Sequence, residues 1–303
     1  MSLYLKYRPA DFNELKGNTD IIASLEKMLS SKENCPHSFL LSGPTGTGKT
    51  TIARIIAKKL GCEERDFVEV DSGQFRGIDT IREIRDQSQY MPIEGSCRMW
   101  VIDEAHRLTS DAQNALLKIL EDSPSHVYFV LCTTDPQKLI ETVKGRCIHF
   151  KTSLLSDSQM QGLMFKIVRS EGFTLSDEIY EQIILDSLGH ARNAIQILEA
   201  VLSVPEEKRL KIARQTAERQ SQVIELCRAL IKHESWSKIA LILSGLKDQE
   251  AESIRRAVIG YCQAILLKER NEGAAEVLHY FIGPFYDSGF PQLILAAYYV
   301  TKK

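Results

Sequence analysis

The sequence predicts an α/β fold, a mostly parallel sheet with crossover helices, followed by purely helical segments. Three observations predict it. From residue 38 to about 151 short apolar runs alternate with amphipathic stretches, a glycine-rich turn joins the first run to a helix-like segment, and beyond about 153 the strand pattern stops. Strands alternating with amphipathic helices build parallel sheets, because each crossover helix covers a sheet face. The predicted strands are 39–41, 67–70, 99–102, 127–132 and 147–150. The first runs into the glycine-rich turn, which leads into a helix over 50–60; Gly77 and Ile78 open another, whose apolar row is Ile78, Ile81 and Ile84. After the last strand, Ala191, Ala194, Ile195, Leu198, Val201 and Leu202 recur at helical spacing, as do Val223, Leu226, Cys227, Leu230 and Ile231. Pro205 separates these two stripes, so the expected domains are 1–152 (sheet), 153–204 (a small helical domain) and 206–303 (a second helical domain).

Composition narrows the class. With 303 residues, 44% hydrophobic and 26% charged, the chain has enough apolar material for a sizeable core in two or three domains. No signal-like opening and no run of about 18 apolar residues is present, so neither secretion nor a membrane span is expected, and a cytoplasmic or nuclear setting is. The seven cysteines are widely spaced without a CxxC pair, which predicts reduced, mostly buried thiols. A net charge of -2 gives no global pull towards nucleic acid, so any such contact needs a local basic surface.

The chemistry concentrates in two places. Gly43, Pro44, Thr45, Gly46, Thr47, Gly48, Lys49 and Thr50 form a P-loop between a predicted strand and a predicted helix. Backbone N–H groups of such a loop close around phosphate oxygens, Lys49 reaches the β and γ phosphates, and Thr50 ligates Mg2+. About fifty residues on, the strand 99–102 ends in Asp103 and Glu104. Asp103 is placed to hold the magnesium shell and Glu104 to orient the attacking water, the division of labour that phosphoryl transfer needs. ATP and Mg2+ are therefore the expected ligands. His106 lies beside the acidic pair without a second metal ligand at suitable spacing, and reads as a positioned loop histidine.

With both motifs in place, residues 103–150 resemble the ATPase subunits of sliding-clamp loaders, a branch of the AAA+ family, and are similar to bacterial DNA polymerase III gamma/tau subunits. The Leu5-Lys6-Tyr7-Arg8-Pro9 opening and the Phe75-Arg76-Gly77-Ile78-Asp79 segment resemble replication factor C small subunits. The resemblance implies an AAA+ sheet domain, a helical lid and a C-terminal helical collar, with Arg8, Pro9 and Thr51 among the nucleotide contacts. It implies Thr134 as the side chain that reports the γ phosphate, with Thr133 as the alternative, and Arg192 as the lid's nucleotide sensor. Arg146 matches the arginine finger that reaches into a neighbour's ATP site, although the family's Ser-Arg-Cys reads Gly145-Arg146-Cys147 here. The four-cysteine zinc module of gamma/tau subunits is missing after Cys62, a compact form similar to replication factor C small subunits or phage loader subunits.

The resemblance further implies a hydrolysing subunit in a pentameric ring of related chains that opens a sliding clamp and loads it onto primer-template DNA. Contact with that DNA is expected at the helix opened by Arg76, Gly77 and Ile78, where Arg82, Arg85 and Gln89 share one polar face. A solvated strip with an Arg82–Asp86 pair is the plainer account of the same residues. The competing functions are another AAA+ DNA motor (a helicase or branch-migration subunit), a non-hydrolysing loader subunit, and an unrelated P-loop protein. The aromatic-rich end, with Tyr280, Phe281, Phe285, Tyr286, Tyr298 and Tyr299, reads as packing rather than base stacking.

Overall fold

The computed structural model describes residues 2–30, 35–187, 189–247, 249–267, 270–285 and 288–302, with the backbone alone for 214–221, 224 and 264. Tyr286 lies outside the described residues. The chain forms two compact units, Met1–Ser203 and Val204–Lys303.

In the first unit the elements run α1 (Leu3–Lys6), α2 (Thr19–Leu29), β1 (Ser38–Ser42), α3 (Lys49–Leu60), β2 (Phe67–Asp71), α4 (Ile78–Ser88), β3 (Arg98–Asp103), α5 (Ser110–Glu121), β4 (Val127–Thr133), α6 (Glu141–Gly145), β5 (Ile148–Lys151), α7 (Asp157–Ser170), α8 (Asp177–Ser187) and α9 (Ala191–Leu202). The five strands pair in parallel in the order β2-β3-β4-β1-β5. This is the α/β architecture the apolar runs predict. One boundary differs: Cys147, expected to begin the last strand, sits in the turn after α6, where its N–H bonds to Lys144 O at 3.2 Å.

Side chains alternate across the pleat, so the sheet feeds two cores. Phe39, Leu41, Met99, Val101, Val130 and Cys132 pack with α2 and α3 on one face. Leu40, Trp100, Ile102, Phe129 and Leu131 pack with α4, α5 and α6 on the other. Because β1 and β4 are buried from end to end and β3 as far as Ile102, they read in sequence as continuous apolar runs rather than alternating ones. The helices have local start and stop signals. Gly61 ends α3 at φ +79°, its N–H reaching Ala57 O and Lys58 O; Thr109 caps α5; Ser156 and Gln159 form a capping box on α7. Helices α7, α8 and α9 bury Met160, Met164, Ile167, Tyr180, Ile183 and Leu198.

The second unit is helical: α10 (Glu206–Ile231), α11 (Trp236–Gly245), α12 (Ala251–Leu266), α13 (Glu272–Phe281) and α14 (Gly289–Val300). The predicted stripe on α10 supplies Val223, Leu226, Cys227 and Leu230 to a core shared with Ile239, Leu243, Val258 and Phe281. Inside it, Glu252 takes both Nη2 and Nε of Arg255, at 2.6 and 2.7 Å, while Arg255 Nη1 donates to Phe281 O and Ile282 O and Phe285 N–H returns to Glu252. Of the terminal aromatics, Phe281 and Phe285 are buried, and Tyr280 stacks on Tyr299 with ring centres 6.0 Å apart.

Candidate nucleotide site

The carboxyl ends of β1, β3 and β4 set the site. The chain leaves β1 at Ser42 and turns through Gly43, whose N–H donates to Thr133 O at the end of β4 at 3.1 Å. Gly43 has φ +147°, and a Cβ there would lie 2.3 Å from Thr152 Oγ1 and 2.4 Å from Thr152 O, so only glycine fits. Thr152, the residue after β5, donates its N–H to Ser42 O at 2.7 Å, and its hydroxyl lies 2.7 Å from Thr47 Oγ1. The loop is thereby pinned to β1, β4 and β5 before α3 begins.

Lys49 is buried at the first position of α3 and donates to Gly43 O and Pro44 O at 2.8 and 2.9 Å. Burial pulls its pKa below the usual lysine value, partly offset by the nearby acidic groups Glu104 and Asp103. Phosphate oxygens would replace the two loop carbonyls as acceptors, restoring a full counter-charge. Thr50 Oγ1 donates to Asp103 Oδ2 at 3.3 Å, which joins a hydroxyl and a carboxylate, both hard oxygen donors of the kind Mg2+ takes.

Glu104 stands at φ +49°, ψ +41°, a left-handed conformation that costs a side-chain-bearing residue about 1–3 kcal/mol and persists only where its surroundings enforce it. Two contacts enforce it here. Thr134 Oγ1 donates to Glu104 Oε2 at 3.1 Å, and His106 Nδ1 lies 3.2 Å from the same oxygen and 3.0 Å from Thr133 Oγ1. Burial lowers the His106 pKa below the ordinary histidine value. Thr133 is fully buried in β4, whereas Thr134 faces Glu104.

The cavity above the loop is lined by residues from both halves of the first unit, among them Arg8, Pro9, the 45–51 stretch, Asp103, Glu104 and Arg192. Arg192, in the first turn of α9, donates to Tyr4 OH at 3.0 Å, and His190 Nδ1 lies 2.7 Å from Thr45 O. Gathering Lys49, Thr50, Asp103, Glu104, Thr134, Arg8 and Arg192 within one neighbourhood makes a cationic, oxygen-donor pocket suited to a polyphosphate with a divalent cation. Sequence reasoning missed Tyr4, Thr152 and His190. Tyr4 stands four residues before Arg8, a spacing that signals a helical pair; Thr152 and His190 reach the loop only through the tertiary fold.

Arg146 does not line this cavity. It is exposed at the end of α6, and its Nη2 donates to Glu121 at 2.5 Å. Arg82 and Arg85 are likewise exposed on α4, with Gly77 as N-cap, while Ile81 and Ile84 face the core. The expected Arg82–Asp86 pair is replaced: Arg82 bonds Asp79 at 3.0 Å, since side chains three apart also meet on a helix, and Asp86 is taken by its neighbour Arg85 at 2.9 Å.

A family model described as DNA polymerase III, delta subunit matches residues 66–155, and one described as Sigma-54 interaction domain matches 15–78. The chain is 34% identical over 226 residues to the DNA polymerase III subunit gamma/tau of Mycobacterium tuberculosis (strain ATCC 25618 / H37Rv), covering 67% of this chain and 39% of that protein. It is 35% identical over 215 residues to the DNA polymerase III subunit gamma of Buchnera aphidicola subsp. Schizaphis graminum, covering 64% and 59%. The chain thus spans less than two thirds of the length of these relatives. Among solved structures it is similar to the Thermotoga maritima RuvB Holliday junction branch migration motor, with a TM-score of 0.61 and 21% identity over 74% of this chain and 79% of that one, a likeness of fold. Gamma and tau subunits 34–35% identical over about two thirds of this chain, with the DNA polymerase III family model over residues 66–155, make the chain a member of the clamp-loader branch of the AAA+ ATPases.

Proposed function

We propose that the chain is an ATP-hydrolysing subunit of a sliding-clamp loader that acts on primer-template DNA. The observation that carries this reading is the convergence of Lys49, the Thr50–Asp103 pair, Glu104 and Arg192 on one cavity, with Thr134 hydrogen-bonded to Glu104, in a chain whose relatives are gamma and tau subunits. Mg2+, held by Thr50 and Asp103, would neutralise charge on the β and γ phosphates. Lys49 and the loop N–H groups bind the phosphates, Glu104 orients and polarises the attacking water, Thr134 fixes the Glu104 carboxylate, and Arg192 couples the lid to the terminal phosphate.

Arg146 supports an interfacial arrangement. It is exposed and stands outside its own chain's cavity, which suits a guanidinium serving a neighbouring subunit in a ring of related chains. The Arg82 and Arg85 ion pairs are exposed, and such pairs contribute only about 0–1 kcal/mol, so exchanging Asp79 and Asp86 for DNA phosphates along α4 costs little. The cellular setting proposed is the cytoplasm; among the described residues no helix is long and apolar enough to cross a membrane.

The test is the ATPase rate of the assembled complex, with partners identified by co-purification, with and without primed DNA and clamp. Stimulation lost in Arg146→Ala is expected. An unstimulated rate indifferent to Arg146 would reduce the chain to a generic P-loop ATPase. The likeness of fold to a branch migration motor favours a second reading, and stimulation by four-way junctions instead of primed ends would select it.

A further inference from the structure

Two guanidinium groups in the cavity share a single partner. Arg8 Nη2 and Arg192 Nη2 both donate to the Tyr4 phenol oxygen, at 3.2 and 3.0 Å, and their guanidinium carbons lie 5.3 and 4.9 Å from the centre of its ring. The Nε atoms of both arginines are buried with no hydrogen-bond partner among the described residues. Like charges brought together with unspent donors, in a cavity that also contains the P-loop, are arranged for an anion. Tyr4 holds them meanwhile through its oxygen and its π face. Burial pushes the Tyr4 phenol up, and the two arginine hydrogen bonds outweigh it, leaving its pKa below the ordinary tyrosine value.

The segment carrying Tyr4 is fastened to the helices that carry Arg192. Leu3 N–H donates to Glu199 on α9 at 3.2 Å, and Lys6 Nζ and Tyr7 OH both donate to Glu171 after α7, at 2.7 and 2.5 Å. The Tyr4 segment is thereby tied to α9 and to the end of α7. Arg192 is also beside the loop: its Cβ lies 3.6 Å from a Cβ built on Gly46.

We propose that Tyr4 is a positioning residue that parks Arg192 alongside Arg8 until the terminal phosphate of a nucleoside triphosphate draws Arg192 off the phenol, while Arg8 stays. This rests on the reading of the cavity as a nucleotide site. A diphosphate lacks the group that draws Arg192 away, so the cost of breaking the Arg192–phenol bond falls on triphosphate binding alone.

The experiment is calorimetric titration of the full chain with Mg-ATPγS and with Mg-ADP, for wild type, Tyr4→Phe, Arg192→Ala and the double variant. Tyr4→Phe keeps the ring and removes the oxygen. It is expected to tighten ATPγS binding by about three- to tenfold, to leave ADP binding within about twofold, and to lose its effect in the Arg192→Ala background. An equal change for both nucleotides, a weaker ATPγS affinity, or a gain that survives Arg192→Ala overturns the proposal. If wild type binds neither nucleotide, the nucleotide-site reading itself falls and takes this one with it, an outcome told apart from the others by the wild-type titration.

Discussion

At position 43 a side chain has no room, because Thr152 occupies the space on the β5 side of the loop. Gly43→Ala is expected to force the loop off β1, destabilising the first unit by about 1–3 kcal/mol and abolishing nucleotide binding; urea titration and ATPγS titration read the two effects. At Glu104 the expectation is a separation of functions. Glu104→Gln keeps the shape and the Thr134 contact but loses the charge proposed to polarise water, so single-turnover hydrolysis in the complex should fall by at least about 10²-fold with ATPγS affinity nearly unchanged. A matching loss of affinity would show that Glu104 holds the nucleotide rather than the water. Legibility at this scale tracked sequence distance. Lys49, Thr50, Asp103 and Glu104 were readable because their spacing to a strand end is local, whereas Thr152 joins Thr47 from 105 positions away and Arg192 joins Tyr4 from 188.

Among elements, the strands were legible because β1, β3 and β4 are buried on both faces, and uninterrupted apolar runs result from that burial. The contacts that hold the connections were not. Asp66, fully buried before β2, accepts the N–H groups of Ile93, Glu94 and Gly95 at 2.6, 2.9 and 2.9 Å and lies 3.6 Å from buried Arg98, whose Nη1 reaches Gln87 O at the end of α4. One carboxylate thus fixes the loop between α4 and β3, and no pattern in the sequence marks it. Burial works to raise its pKa, and the three N–H bonds with the Arg98 charge outweigh it, leaving it below the usual aspartate value. Asp66→Asn leaves Arg98 without its counter-charge and is expected to cost about 3–5 kcal/mol, seen as a lowered denaturation midpoint and as new proteolytic cleavage within residues 90–96. An unchanged midpoint would mean that solvent reaches Arg98 freely.

For the molecule as a whole, the two units carry separate reporters, since Trp100 lies in the sheet and Trp236 on α11. The Arg255 hydrogen bonds, aided by Phe285 N–H and offsetting burial, hold Glu252 at about 2, down from an ordinary 4.5. A depressed carboxylate stabilises the folded unit above its unfolded pKa, and that contribution disappears as pH falls from about 4.5 towards 2. Acid titration of Trp100→Phe, in which Trp236 alone reports, should show the second unit weakening across that window. Glu252→Gln should lower its stability at neutral pH and flatten that arm; an unaltered acid profile would remove Glu252 from the account. The Glu252–Arg255 clasp was hidden in the sequence among ordinary helical charges. One strand links the scales. β5, about 13 Å long, starts two residues after Arg146 and leads into Thr152, whose hydroxyl meets Thr47 on the loop of its own site. If Arg146 serves the next subunit as proposed, one short strand is all that separates the loop of one site from the arginine offered to another.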